Sequence, residues 1–158
     1  AFVMFGDVEL TVHCAAELLK RAPEYDYLIA PEAKAIPLLY EMARQSGAEK
    51  YFLARKGAKA YMTGVFEVEV RSITTMHIQK LVIDTADAEL IKGKKILIVD
   101  DVISTGESLH AMEELVKRAG GIIAGKMAVL AEGDAKGRDD IITLAPLPLF
   151  NADGTVKA

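Results

Sequence analysis

Ile96-Leu97-Ile98-Val99-Asp100-Asp101-Val102-Ile103-Ser104-Thr105-Gly106-Glu107-Ser108 decides how the rest of the chain is read. Four aliphatic residues in a row, with Lys94 and Lys95 before them and two carboxylates after, predict a strand buried on both faces, as in a parallel sheet. Its carboxyl end carries Asp100 and Asp101. The chain then turns through Ser104, Thr105 and Gly106 into a helix expected over 105–118, with Leu109, Met112, Leu115 and Val116 at helical spacing. Free N–H groups at that helix start, the macrodipole and the hydroxyls of Ser104, Thr105 and Ser108 suit a phosphate, and Gly106 lets the backbone come close. Asp100 and Asp101, on the same rim, can accept hydrogen bonds from sugar hydroxyls or attract hydrated Mg²⁺. A hydrogen bond to a charged group contributes about 1.5–3 kcal/mol, so the combination fits a phosphorylated pentose. Two alternatives exist on these residues alone: a receiver domain, which also opens on a strand ending in two aspartates but needs about 100 or more residues after it, and a solvated acidic turn before an ordinary helix.

Upstream, Phe2 to Phe5 with Gly6 and Asp7 predict a short strand and turn over 1–11, and Ala15, Leu18 and Leu19 a helix over 12–21, ended by Pro23. A buried strand is expected over 27–30. The turn after it, Pro31-Glu32-Ala33-Lys34-Ala35, leads into a helix over 36–45 with Pro37 in its first turn and Gly47 near its end. It repeats the strand, polar loop and helix start of the first stretch, now with a cation at Lys34, and should bind an anion. A strand over 51–54 precedes Arg55-Lys56-Gly57-Ala58-Lys59, a basic turn suited to pyrophosphate. Over 61–80 the period becomes two, with Phe66, Val68 and Val70 alternating against Glu67, Glu69 and Arg71. Asp84 to Glu89 read as a polar, acidic connection. Gly120-Gly121 end the central helix, and strands follow over 122–131 and 141–144. Three βα units in this order favour a parallel sheet, hence an α/β fold flanked by helices.

At 158 residues and 51% hydrophobic content, the chain is expected to form one domain with its own core. A net charge of −4 supplies no overall basic field, so nucleic acid is not an expected partner. Cys14 is the only cysteine, which leaves no disulfide framework or thiolate cage and fits a reducing cytoplasm. Neither a leader segment nor a membrane span is expected.

Val99 to Ser108 resembles the 5-phosphoribosyl-1-pyrophosphate (PRPP) signature of type I phosphoribosyltransferases, in which paired acids hold the ribose hydroxyls and the following turn holds the 5′-phosphate. The resemblance therefore assigns Asp100 and Asp101 to the sugar, and Ser104, Thr105, Gly106, Glu107 and Ser108 to the phosphate. Glu32-Ala33-Lys34-Ala35 resembles the pyrophosphate loop of the adenine branch, with Lys34 for an arginine and Ala35 for a glycine. Arg55 and Lys59 match its Arg-Lys-x-x-Lys segment. The 61–80 stretch resembles the two-stranded flexible flap of the family, and Ile78-Gln79-Lys80 the segment after it. There Val70-Arg71-Ser72 stand where the adenine enzymes carry Glu-Tyr-Gly, so Glu69, one position away, and His77 become the candidates for proton transfer. The resemblance implies one phosphoribosyltransferase domain over 1–158, with a hood partly from 1–11 and 145–158, and a homodimer. It also implies Mg²⁺ bound mainly through PRPP and water, and transfer of the phosphoribosyl group to a purine, adenine first, in purine salvage. A PRPP-sensing regulator of the same fold, without the transferase step, is the alternative.

Overall fold

The computed structural model describes residues 2–72 and 76–157. Its elements are α1 (Val8–Arg21), β1 (Tyr27–Pro31), α2 (Ile36–Ser46), β2 (Phe52–Ala54), β3 (Val65–Arg71), β4 (Ile78–Asp84), α3 (Thr85–Ile91), β5 (Lys95–Ile103), α4 (Glu107–Arg118), β6 (Ile122–Glu132), a 3₁₀ turn (Gly133–Gly137) and β7 (Ile142–Leu147). Five strands form a parallel sheet in the order β2-β1-β5-β6-β7, while β3 and β4 pair antiparallel as a separate ribbon.

The central strand faces two layers, as its unbroken apolar run requires. Ile96 and Ile98 sit in one core with Leu109, Met112, Leu115 and Val116 of α4 and with Val68, Val70, Leu81 and Ile83 of the β3–β4 ribbon. Leu97 and Val99 sit in the other, with Ala15 and Leu18 of α1 and Leu38, Leu39 and Met42 of α2. Each such aliphatic side chain contributes about 1.5–3 kcal/mol when removed from water. The root of the ribbon is thus core, with alternate residues Glu67, Glu69 and Arg71 exposed.

Four expectations need correction. The first helix begins at Val8, because Asp7 caps it by accepting from the Leu10 N–H at 2.9 Å. Residues 85–91 are helical rather than a connection: Asp84 is the N-cap, and Ala88 and Ile91 give the helix an inner face. The last strand runs on to Leu147, since Pro146 lies on an edge strand where a missing N–H costs no ladder bond. Finally, β5 does not end before its acids. Its pairing with β1 stops at Ile29↔Ile98, while its pairing with β6 continues through Asp100↔Ala128 to Ile103↔Ala131. The central helix accordingly starts at Glu107, after Gly106 at φ 83°. Of the segments expected to form a hood, 8–11 open α1, 145–147 close β7, and the tail is joined by a bridge between Phe150 and Val156.

Candidate active site

The sheet's order places β2 beside β1 on one side, and β6 and β7 beyond β5 on the other, so the chain reverses direction across the sheet between β1 and β5. Open α/β sheets bind ligands in the crevice outside the carboxyl ends of the strands at such a point. Here the two strands part after Ile29 and Ile98, and a cavity of about 610 Å³ opens beyond them. Asp100, Asp101, Val102 and Ser108 line one side, Glu32, Ala33 and Lys34 another, with Lys56, His77, Gln79 and Lys80 around the rim.

The paired acids are held by their own backbone: Asp100 Oδ1 accepts from the Asp101 N–H and Asp101 Oδ1 from the Val102 N–H, both at 2.8 Å. Burial, and then the adjoining Asp101 carboxyl, raise the Asp100 pKa well above the ordinary aspartate range, while the Asp101 N–H and the Lys34 charge pull it down. A partner that donates hydrogen bonds or positive charge relieves this penalty. Among the described residues no three His, Cys, Asp or Glu side chains are grouped to hold a metal. Two adjacent carboxylates on a polar cavity nonetheless fit Mg²⁺, which keeps water and ligand phosphate oxygens in its shell rather than using an all-protein cage.

The 31–35 loop, whose Glu32–Ala33 peptide is cis, is braced from β2. Arg55 Nε donates to Glu32 Oε2 at 2.7 Å and the Lys56 N–H to Glu32 Oε1 at 2.6 Å. Burial opposes ionisation of Glu32, but the Lys56 N–H and the Arg55 guanidinium outweigh it and hold its pKa below the usual range. Arg55 Nη1 also donates to the Tyr61 hydroxyl at 2.9 Å. The cations that line the cavity with Lys34 are Lys56 and Lys80; Arg55 and Lys59 are not among the lining groups. Sequence reasoning singled out Arg55 and Lys59 rather than Lys56: neighbouring residues at a strand end point to opposite sides, and it takes Glu32, in the loop after the adjacent strand, to claim Arg55.

The 104–108 turn is divided. Ser108 faces the acid-lined cavity, while Thr105, Gly106 and Glu107 line an adjoining one of about 310 Å³, shared with Val70, Arg71, Ser72, His110 and Asp134. Gln79 lines both. Ser104 and Ala35 line neither, Ala35 being buried in the α2 layer. Ser72 donates through its hydroxyl to Glu107, joining the end of β3 to the first residue of α4. Of the two proton-transfer candidates, His77 lies on the acid-lined cavity and Glu69 lines neither, standing on the exposed face of β3 opposite Lys80.

The sheet is parallel and α/β, and at its switch point stand a strand end with two acids, a loop with Lys34 and a helix start rich in hydroxyls. Residues 11–145 match the family model of the phosphoribosyl transferase domain. An adenine phosphoribosyltransferase of Thermotoga sp. (strain RQ2) is 34% identical over 110 residues, covering 69% of this chain and 60% of that protein. An orotate phosphoribosyltransferase of Caldanaerobacter subterraneus subsp. tengcongensis is 29% identical, covering 70% of this chain and 47% of that protein. The crystal structure of adenine phosphoribosyltransferase from Thermoanaerobacter pseudethanolicus superposes with a TM-score of 0.73 at 23% identity, over 89% of this chain and 83% of that one. The chain belongs to the phosphoribosyltransferase family, and it spans less than two thirds of the length of the first curated relatives it matches.

Proposed function

We propose that this chain transfers the phosphoribosyl group of PRPP to a purine base, adenine first, and releases pyrophosphate. The observation that carries the reading is the convergence of Asp100, Asp101, Lys34 and Lys56 on one cavity at the sheet's switch point. Asp100 and Asp101 accept hydrogen bonds from the ribose hydroxyls and lie near the positive charge that grows on C1 as pyrophosphate departs. Lys34 and Lys56 offset the charge of the pyrophosphate, and Arg55 acts on it through Glu32, by fixing the loop that carries Lys34. The N–H groups and hydroxyls of 104–108 hold the 5′-phosphate. The β3–β4 ribbon, which supplies His77, Gln79 and Lys80 to the rim, limits the access of water to the reacting carbon. Mg²⁺, bound with PRPP and near Asp100 and Asp101, supplies charge neutralisation of the leaving group.

Support for a purine comes from the adenine phosphoribosyltransferases among the relatives, and the orotate enzyme keeps the pyrimidine bases in the test. A homodimer, a cytoplasmic setting and purine salvage go with the reading. Among the described residues no helix is long and apolar enough to cross a membrane. The placement of Glu69 outside both cavities favours a second reading, a protein that binds PRPP as a signal and transfers nothing.

Calorimetry with PRPP and Mg²⁺ tests the site itself. Asp100→Asn with Asp101→Asn should weaken binding by about 3–6 kcal/mol, at least a hundredfold, if both charged hydrogen bonds are lost. The thermal transition should survive. Unchanged affinity would sink both readings, because each depends on these acids.

A further inference from the structure

The phosphate turn meets a charged side chain that the sugar and pyrophosphate groups leave unused. A Cβ built on Gly106 would lie 2.8 Å from Arg138 Nη1, so the guanidinium fills the space that a side chain at 106 would need. Arg138 is held firmly there. Its Nε and Nη2 both donate to Asp140, at 2.8 and 2.6 Å. Asp140 also accepts from Lys126 at 2.8 Å, and Lys126 donates to Glu113 at 3.0 Å. Glu113 lies on α4 and Lys126 on β6, so a line of alternating charges joins the helix that begins at the turn to the neighbouring strand. Nη1 takes part in none of these bonds and is the edge nearest the turn.

We propose that Arg138 is a positioning residue for the phosphate bound on the Ser104–Ser108 turn, fixed by Asp140 and through it by Lys126 and Glu113. Its fork onto Asp140 sets the guanidinium against Gly106, which holds the turn in its left-handed form, and puts a permanent positive charge behind the N–H groups that receive the phosphate. Lysine could supply the charge but not the two parallel bonds to Asp140, so the role belongs to arginine specifically. The inference rests on the proposed binding of a phosphorylated ribose by this turn.

Ribose 5-phosphate and pyrophosphate, measured separately by calorimetry on the full chain, isolate the two ends of the site. Arg138→Ala and Asp140→Asn should weaken ribose 5-phosphate by about tenfold or more and pyrophosphate by less than about twofold. If the transferase assay is active, KM for PRPP should rise with kcat within about twofold. Arg138→Lys carries the test should the alanine variant fold poorly, and should recover less than half of the lost binding free energy. Equal losses for both ligands, or no loss for ribose 5-phosphate, would overturn the proposal. Wild-type chain that binds ribose 5-phosphate not at all would overturn the reading beneath it instead.

Discussion

Glu32 shows how one carboxylate sets the shape of the site. It joins the end of β1 to the end of β2 by accepting from Arg55 and from the Lys56 N–H, with both side chains less than a quarter exposed. Glu32→Gln should cost about 1–2 kcal/mol of stability at neutral pH, since charged hydrogen bonds in partly buried surroundings are worth about that much. The pH dependence has a definite sign. A folded pKa below the unfolded value of about 4.3 means stabilisation that is complete above that pH and lost as the pH falls through the folded value. Urea midpoints of the two proteins should therefore differ at pH 7 and converge as the pH falls below the folded value; a gap that persists in acid would mean that packing, not charge, is the source. At this scale the place of Asp100 and Asp101 on the central strand beside the cavity was legible in the sequence, while the ion pair of Arg55 with Glu32 and the place of Lys56 on the cavity were not. Nothing local tells Arg55 from Lys56; the loop alongside does.

Helix ends explain most of the boundary errors among the elements. Phe2 to Phe5 are apolar enough to suggest a strand, yet the deciding residue is Asp7, whose carboxylate turns the chain into α1. Asp84 does the same for α3, accepting from the Ala86 N–H at 3.1 Å and also from the Thr63 N–H at 2.9 Å, so an aspartate in an acidic stretch is a cap and a tie to the loop before the ribbon. Those N–H bonds hold its pKa below the ordinary range. The C-terminal end of α2 was legible: Gly47 sits at φ 73°, and a Cβ there would touch nothing within 4 Å. Gly47→Ala should consequently cost only the backbone penalty, about 1–2 kcal/mol, which urea denaturation measures directly. A neutral result would mean that the helix end rearranges to accept alanine.

The molecule as a whole is arranged around one reversal of strand order. Alternating hydrophobic segments with short polar turns were enough to expect the parallel sheet, because a strand buried on both faces needs helices on both sides. The position of the reversal was not legible, since no residue encodes which neighbour a parallel strand takes. That position brings the 31–35 loop and the acids to one crevice, and it lets β5 stay paired to β6 past Asp100 after leaving β1. The flap was legible as alternation, but its root proved to be core, with Val68 and Val70 packed in the same layer as α4. Ile73, Thr74 and Thr75, inside the expected 61–80 flap, lie outside the described residues.

Pyrophosphate release from PRPP with Mg²⁺, across adenine, hypoxanthine, guanine, xanthine, uracil and orotate, tests the transferase reading most directly. The account predicts turnover with a purine, fastest with adenine, and its loss in the Asp100→Asn, Asp101→Asn protein. Binding of PRPP without release of pyrophosphate with any base would contradict the transfer step and leave a protein that senses PRPP.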